Sequence, residues 1–271
     1  MAHSPLRRVE TSLTLSFPTD ITISLAGEWV DFNSHDTYFH FMSDINIAEM
    51  FLWYVAFLFS FTAHEASHAL AAMKGGDLTA YHGGQVTLNP IPHILRSPFG
   101  TVLVPIFSFV MAGWMIGWAS APYDPQWAAK YPRRAAWMAA AGPAANFLIF
   151  SVAFILIKIG LASGVFLKPE VFNFTGIVVG NAGIWSGLAK LLSVFLMLNL
   201  LLLVFNLLPV PPLDGSGVIT LFMSEQTAFK FTSFLSQPMY SFLGIVIAWR
   251  ILPYIFGPIW IIVLTLLYGG A

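Results

Sequence analysis

The sequence predicts an all-α polytopic membrane protein of about five or six transmembrane or re-entrant helices with a small re-entrant β element. Three observations carry that expectation. Of 271 residues, 57% are hydrophobic and only 9% are charged, against about 25% charged in an ordinary soluble domain. Apolar runs at 47–73, 135–163, 184–208 and 231–270 are long enough at about 1.5 Å per residue to cross a bilayer core of roughly 30 Å. Between them, Gln85-Val86-Thr87-Leu88 is β-prone and bounded by Gly83-Gly84 and Asn89-Pro90, so it reads as a strand or hairpin. The net charge of −1 excludes a basic nucleic-acid surface. The absence of cysteine leaves His, Asp and Glu as the ligands for any metal.

Three parts are expected: an N-terminal extramembranous segment (1–46), a core (47–220) and C-terminal transmembrane segments (221–271). The first holds six of the thirteen acidic residues. Arg7 and Arg8 precede no continuous apolar stretch, so neither a cleavable signal nor a twin-arginine signal is expected, and the first span does the targeting. Ile21-Thr22-Ile23-Ser24-Leu25 alternates like a short strand. His35 and His40 read as solvated loop histidines.

The first span, 47–73, carries Ala63, Ala66, Ser67, Ala69, Ala71 and Ala72, small residues that admit close helix packing. Lys74, Gly75 and Gly76 end it. Within it stands His64-Glu65-Ala66-Ser67-His68. Histidines four apart share one helix face and can hold one metal ion, and the glutamate between them can take a proton from metal-activated water. From 7 His and 6 Glu in the chain, chance yields about 0.004 such matches. Ionisable groups inside an apolar span are costly and rarely kept without function.

Residues 77–98 are polar and turn-rich. Residues 99–120 are apolar but broken by Gly100, Pro105, Gly113 and Gly117. Basic residues on both flanks (Lys74 and Arg96; Lys130, Arg133 and Arg134) place both ends in the cytoplasm. This segment therefore either dips and returns or crosses twice. The span 135–163 follows, then a non-cytoplasmic loop near 164–180, then 184–208, which stops at Pro209-Val210-Pro211-Pro212. Asp214 thus lies on unwound backbone at the cytoplasmic end of its helix, at the depth of the histidine pair. It becomes the third ligand, leaving a fourth position for water. Residues 231–270 supply one or two closing spans. Glu49, Lys158, Lys190 and Arg250 have no evident partner in the sequence.

Taken together, His64-Glu65-x-x-His68, Leu88-Asn89-Pro90 with His93, Gly142-Pro143-x-x-Asn146 and Asn206-x-x-Pro209-x-x-x-Leu213-Asp214-Gly215 resemble the site-2 protease family of intramembrane zinc metalloproteases. The resemblance implies Zn2+ on His64, His68 and Asp214, with Glu65 as catalytic base. It implies that Asn146 holds the substrate backbone or the oxyanion, with Asn206 sharing that work. It further implies that Gln85, Val86, Thr87 and Leu88 form a re-entrant β element that binds substrate as an extended chain. The expected partner is a single-pass transmembrane protein, such as an anti-sigma factor or membrane-tethered regulator, in the lipid bilayer of a prokaryotic cell, with the active site toward the cytoplasm. Neither a PDZ-like nor a nucleotide-sensing domain is expected, nor a span before the histidine helix. Two alternatives remain open from the residues: a membrane zinc peptidase acting on surface or soluble peptides, and a non-catalytic metal-binding membrane protein.

Overall fold

In the computed structural model, which describes residues 14–16, 22–24 and 46–269, four helices are long and apolar enough to cross a membrane. They are α1 (Ile47–Gly75), α6 (Pro132–Ala162), α7 (Ile184–Asn206) and α10 (Pro238–Tyr268). Shorter helices lie between them: α2 (Thr79–His82), α3 (Ile91–Arg96), a π-helix (Phe99–Leu103) running into α4 (Val104–Ala112), α5 (Pro125–Lys130), α8 (Asp214–Val218), a 3₁₀ turn (Ile219–Phe222) and α9 (Glu225–Leu235). Two short antiparallel pairs complete the described residues: β1 (Thr14–Ser16) with β2 (Thr22–Ser24), and β3 (Phe166–Leu167) with β4 (Val179–Gly180). Strand β2 lies within the alternating stretch 21–25. His35 and His40 fall outside the described residues.

Helices α1, α6 and α7 pack on one another and form the core that positions the site. Trp53, Ala56 and Phe57 of α1 meet Phe109, Met115, Val194 and Leu198 in one apolar cluster. Ala153 and Ile157 of α6 meet Leu196, Leu200, Leu252 and Trp260 in another. Outward residues such as Phe51, Val152, Ile159, Phe242 and Tyr254 stay exposed, as a lipid-facing surface requires. The run 231–270 holds one long helix, with Pro253 and Pro258 inside it.

Glu49, Lys158 and Lys190, ionisable residues of the spans, have partners. Glu49 of α1 stands 4.0 Å from Lys190 of α7. Lys158 donates to the carbonyls of Leu266 and Leu267, groups the C-terminal turn of α10 leaves without helical donors.

Residues 99–120 go out and come back. Trp118 N–H donates to Gly100 O at 3.1 Å, and Ile116 N–H to Ser108 Oγ at 3.0 Å, so the outgoing helix and the returning chain lie side by side. Trp114, near the far point, stacks on Phe174 in the loop between α6 and α7. Gly113 turns the chain at φ 73°, a conformation glycine adopts without strain. On the way back, a Cβ on Gly117 would stand 2.6 Å from the Phe57 ring, and Asp124 N–H donates to Asp77 Oδ2 at 2.8 Å. Residues 117–124 thus run from the level of the Phe57 ring to that of Asp77 without forming a helix, passing the depth of His64 and His68.

The strand expected over Gln85-Val86-Thr87-Leu88 does not form; these residues are an irregular turn. Local bonds replace a ladder: Gln85 N–H donates to Ala80 O, Asn89 N–H to Thr87 Oγ1, Ile91 N–H to Asn89 Oδ1, and His93 Nε2–H to Thr87 O. Thr and Asn side chains compete for backbone in this way, and here they win over β propensity.

Asp77 ties the end of α1 to the returning chain. Burial works to raise its carboxyl, but the Thr79 hydroxyl and the N–H groups of Asp124 and Thr79 outweigh it and hold it below the usual carboxylate range. A depressed folded pKa contributes stability that is present above the unfolded value and lost as pH falls through the folded one. Asp77→Asn is therefore expected to lower the thermal midpoint in detergent at pH 7, and the difference from wild type is expected to shrink below about pH 4. A difference that stays constant from pH 7 to pH 3 would contradict this assignment.

Candidate metal centre

His64 and His68 sit one turn apart on α1 and are buried, at 6% and 5% exposure. Each imidazole is aimed by its outer nitrogen. His64 Nδ1–H donates to Asn146 Oδ1 at 2.6 Å, and His68 Nδ1–H to the carbonyl of Met138 at 2.7 Å. Both acceptors belong to α6. With Nδ1 protonated, each neutral ring turns an Nε2 lone pair inward, the arrangement a metal-binding histidine needs.

Asp214 comes from the far end of the chain. Helix α7 ends at Asn206, the Pro209–Pro212 stretch turns the backbone, and Asp214 opens the short helix α8. Gly215 packs so closely that a Cβ there would overlap the carbonyls of Leu207 and Leu208. Only a glycine lets this turn lie against the end of α7 and bring the carboxylate to the histidines. Asp214 Oδ2 lies 3.1 Å from His64 Nε2, Asp214 Oδ1 lies 3.3 Å from His68 Nε2, and the two Nε2 atoms are 3.0 Å apart.

These atoms fit zinc. Three lone-pair donors converge, and Asp214 Oδ2 is buried with no hydrogen-bond partner among the described residues. Ligands about 2.0–2.1 Å from a tetrahedral ion stand roughly 3.3 Å apart, close to the separations found here. Gly142 of α6 forms the wall of this space: a Cβ on it would stand 2.5 Å from His64 Nε2 and closer still to His68 Nε2. Pro143, which follows it, has no N–H for the carbonyl one turn back. Glu65, buried at 5% exposure, follows His64 on the same turn of α1.

The structure brings together His64, His68, Asp214 and Asn146 as the sequence expects, and it shows which groups Asn146 meets. The residue is fully buried, with Oδ1 on His64 and an Nδ2 hydrogen on Asn199, so it faces the ligand's outer nitrogen. Asn206 is the half-buried last residue of α7. Gln85 is buried, Val86 and Thr87 are half-buried, and Leu88 is exposed, all in the irregular turn. Sequence reasoning missed Asn199 and Ser60. Their signal was an amide and a hydroxyl in apolar spans, where polar groups need partners.

A model of peptidase family M50 matches residues 52–249. Over 166 residues the chain is 36% identical to the protein named "Putative zinc metalloprotease YwhC" of Bacillus subtilis (strain 168), a match covering 61% of this chain and 66% of that relative. The chain thus spans just under two thirds of that relative's length. Over 208 residues it is 27% identical to "Putative zinc metalloprotease Rip2" of Mycolicibacterium smegmatis (strain ATCC 700084 / mc(2)155), covering 76% of this chain and 70% of the relative. No solved structure matches the chain significantly.

Proposed function

The chain belongs to peptidase family M50, and on that premise we propose that it is an intramembrane zinc metalloprotease that hydrolyses peptide bonds within or near transmembrane segments of membrane-protein substrates. The observation that carries the reading is the convergence of His64, His68 and Asp214 inside a bundle of membrane-length helices, with Glu65 on the same turn. Zinc, when bound there, acidifies water and polarises a carbonyl oxygen. Glu65 takes the proton of the attacking water as the C–O bond forms, then delivers it to the leaving amine as the C–N bond breaks. Asn146 and the Met138 carbonyl hold the two imidazoles in place throughout.

A peptide bond in a transmembrane helix is shielded by its own hydrogen bonds, so the substrate has to unwind and find replacements. The returning chain at 115–120, which forms no helix, suits that need better than 85–88. Its side chains alternate, with Met115 buried, Ile116 exposed at 40% and Trp118 at 56%. Ile116 and Trp118 use their N–H groups toward the outgoing helix, so strand geometry turns those of Gly117 and Ala119 to the opposite edge. That edge would take the unwound substrate by β-addition. The basic residues Lys74, Arg96, Lys130, Arg133 and Arg134 flank the metal end of α1 and favour a cytoplasmic active site.

The test uses purified full-length protein with zinc in detergent. A single-pass peptide with a helix-breaking residue in its membrane segment is expected to be cut within that segment, as read by mass spectrometry, and cutting is expected to stop on chelation. A soluble peptide of the same cleavage sequence is expected to be cut far more slowly. Equal rates on the two peptides would overturn the intramembrane reading in favour of a surface peptidase.

A further inference from the structure

We propose that Asn199 and Ser60 are positioning residues for His64, completing a one-way chain of hydrogen bonds that fixes which imidazole nitrogen faces the metal. The inference deepens the proposed protease and rests on it.

The chain starts at two backbone carbonyls, which can only accept. Ser60 Oγ–H donates to Ala56 O at 2.7 Å, leaving its own oxygen as an acceptor. Asn199 Nδ2 donates to that oxygen at 2.9 Å and to Phe195 O at 2.9 Å. Both amide hydrogens of Asn199 are thereby committed, and the orientation of its amide is settled by partners that cannot be reversed. Asn199 Oδ1 must then face Asn146, whose Nδ2 donates to it at 2.9 Å. This turns Asn146 Oδ1 toward His64, which has to supply the hydrogen from Nδ1 at 2.6 Å. Nδ1 carries the proton, so Nε2 keeps its lone pair for the ion.

Ser60, Asn146 and Asn199 are each 0% exposed, and they come from α1, α6 and α7. Burial shields these bonds from bulk solvent, and they tie the three helices to one another. Without Asn199, nothing would prevent the Asn146 amide from turning over, and His64 would face an N–H instead of an oxygen. The ring would then favour the tautomer with Nε2 protonated, which cannot ligate. His68 has no such dependence, because its partner is the Met138 carbonyl.

The test compares Asn199→Ala and Ser60→Ala with Ser193→Ala. Ser193 is also a fully buried polar residue of α7, but it serves the Ile177 and Val178 N–H groups, away from the relay. Zinc affinity is measured by chelator competition, coordination by the visible spectrum of the Co2+-loaded protein, and stability by thermal midpoint. Asn199→Ala is expected to weaken zinc binding by roughly 10- to 100-fold and to alter the Co2+ spectrum. Ser60→Ala should move both in the same direction by less. Ser193→Ala should lower the midpoint and leave both metal readouts unchanged. Relay variants that lose stability as Ser193→Ala does, yet bind metal as wild type, would overturn the proposal. Should Asn199→Ala fail to fold, Ser60→Ala decides, since it removes a single hydroxyl. A wild-type protein that binds no zinc at all would instead remove the protease reading on which the relay depends.

Discussion

Replacing Glu65 by Gln is expected to lower peptide-bond cleavage by at least about 10²–10⁴-fold, the usual contribution of a positioned general base, while one zinc per chain is retained. The side chains are nearly the same size, and the three converging ligands do not include residue 65. Gln keeps the volume of a site that is only 5% exposed, so neither the packing of α1 nor the aim of the two rings should change. What is lost is the ability to accept a proton and return it to the amine. Metal content and cleavage of a transmembrane peptide, measured in parallel, separate the two effects. Cleavage near the wild-type rate by the Gln variant would remove Glu65 from the reaction.

Gly142→Ala is expected to abolish zinc binding without unfolding the protein. The added methyl would stand 2.5 Å from His64 Nε2 and closer to His68 Nε2, where the ion belongs. The rings cannot swing away cheaply, because each is pinned by its Nδ1 hydrogen bond. Helix propensity acts in the opposite sense, since Ala in a helix interior is favoured over Gly by about 1 kcal/mol. The variant should therefore show little or no loss of helix content by circular dichroism together with loss of metal by elemental analysis. Wild-type zinc affinity in Gly142→Ala would mean that the ion lies elsewhere.

The ligand set was legible because its two halves follow from local rules. His64 and His68 share a helix face by spacing alone, and three prolines in four residues mark the break between the end of α7 and Asp214. The spans were legible from apolar length. The loop at 99–120 left two readings, since glycine and proline announce a break without saying where the chain goes; the bonds from Trp118 to Gly100 and from Ile116 to Ser108 show that it doubles back on itself. The strand expected at 85–88 failed because Thr87 and Asn89 bond their own neighbourhood. The partners of Asn146 were beyond sequence reasoning because they lie on other helices. The support of His68 is a main-chain carbonyl, which no side-chain pattern reveals.

X-ray absorption at the zinc edge, made on the purified wild type and on Asp214→Ala, tests the tripod most directly. The account predicts one zinc per chain in the wild type, with two imidazole nitrogens and the remaining ligands oxygen at about 2.0–2.2 Å, and loss of the metal in the variant. Zinc retained by Asp214→Ala with an unchanged spectrum would contradict it.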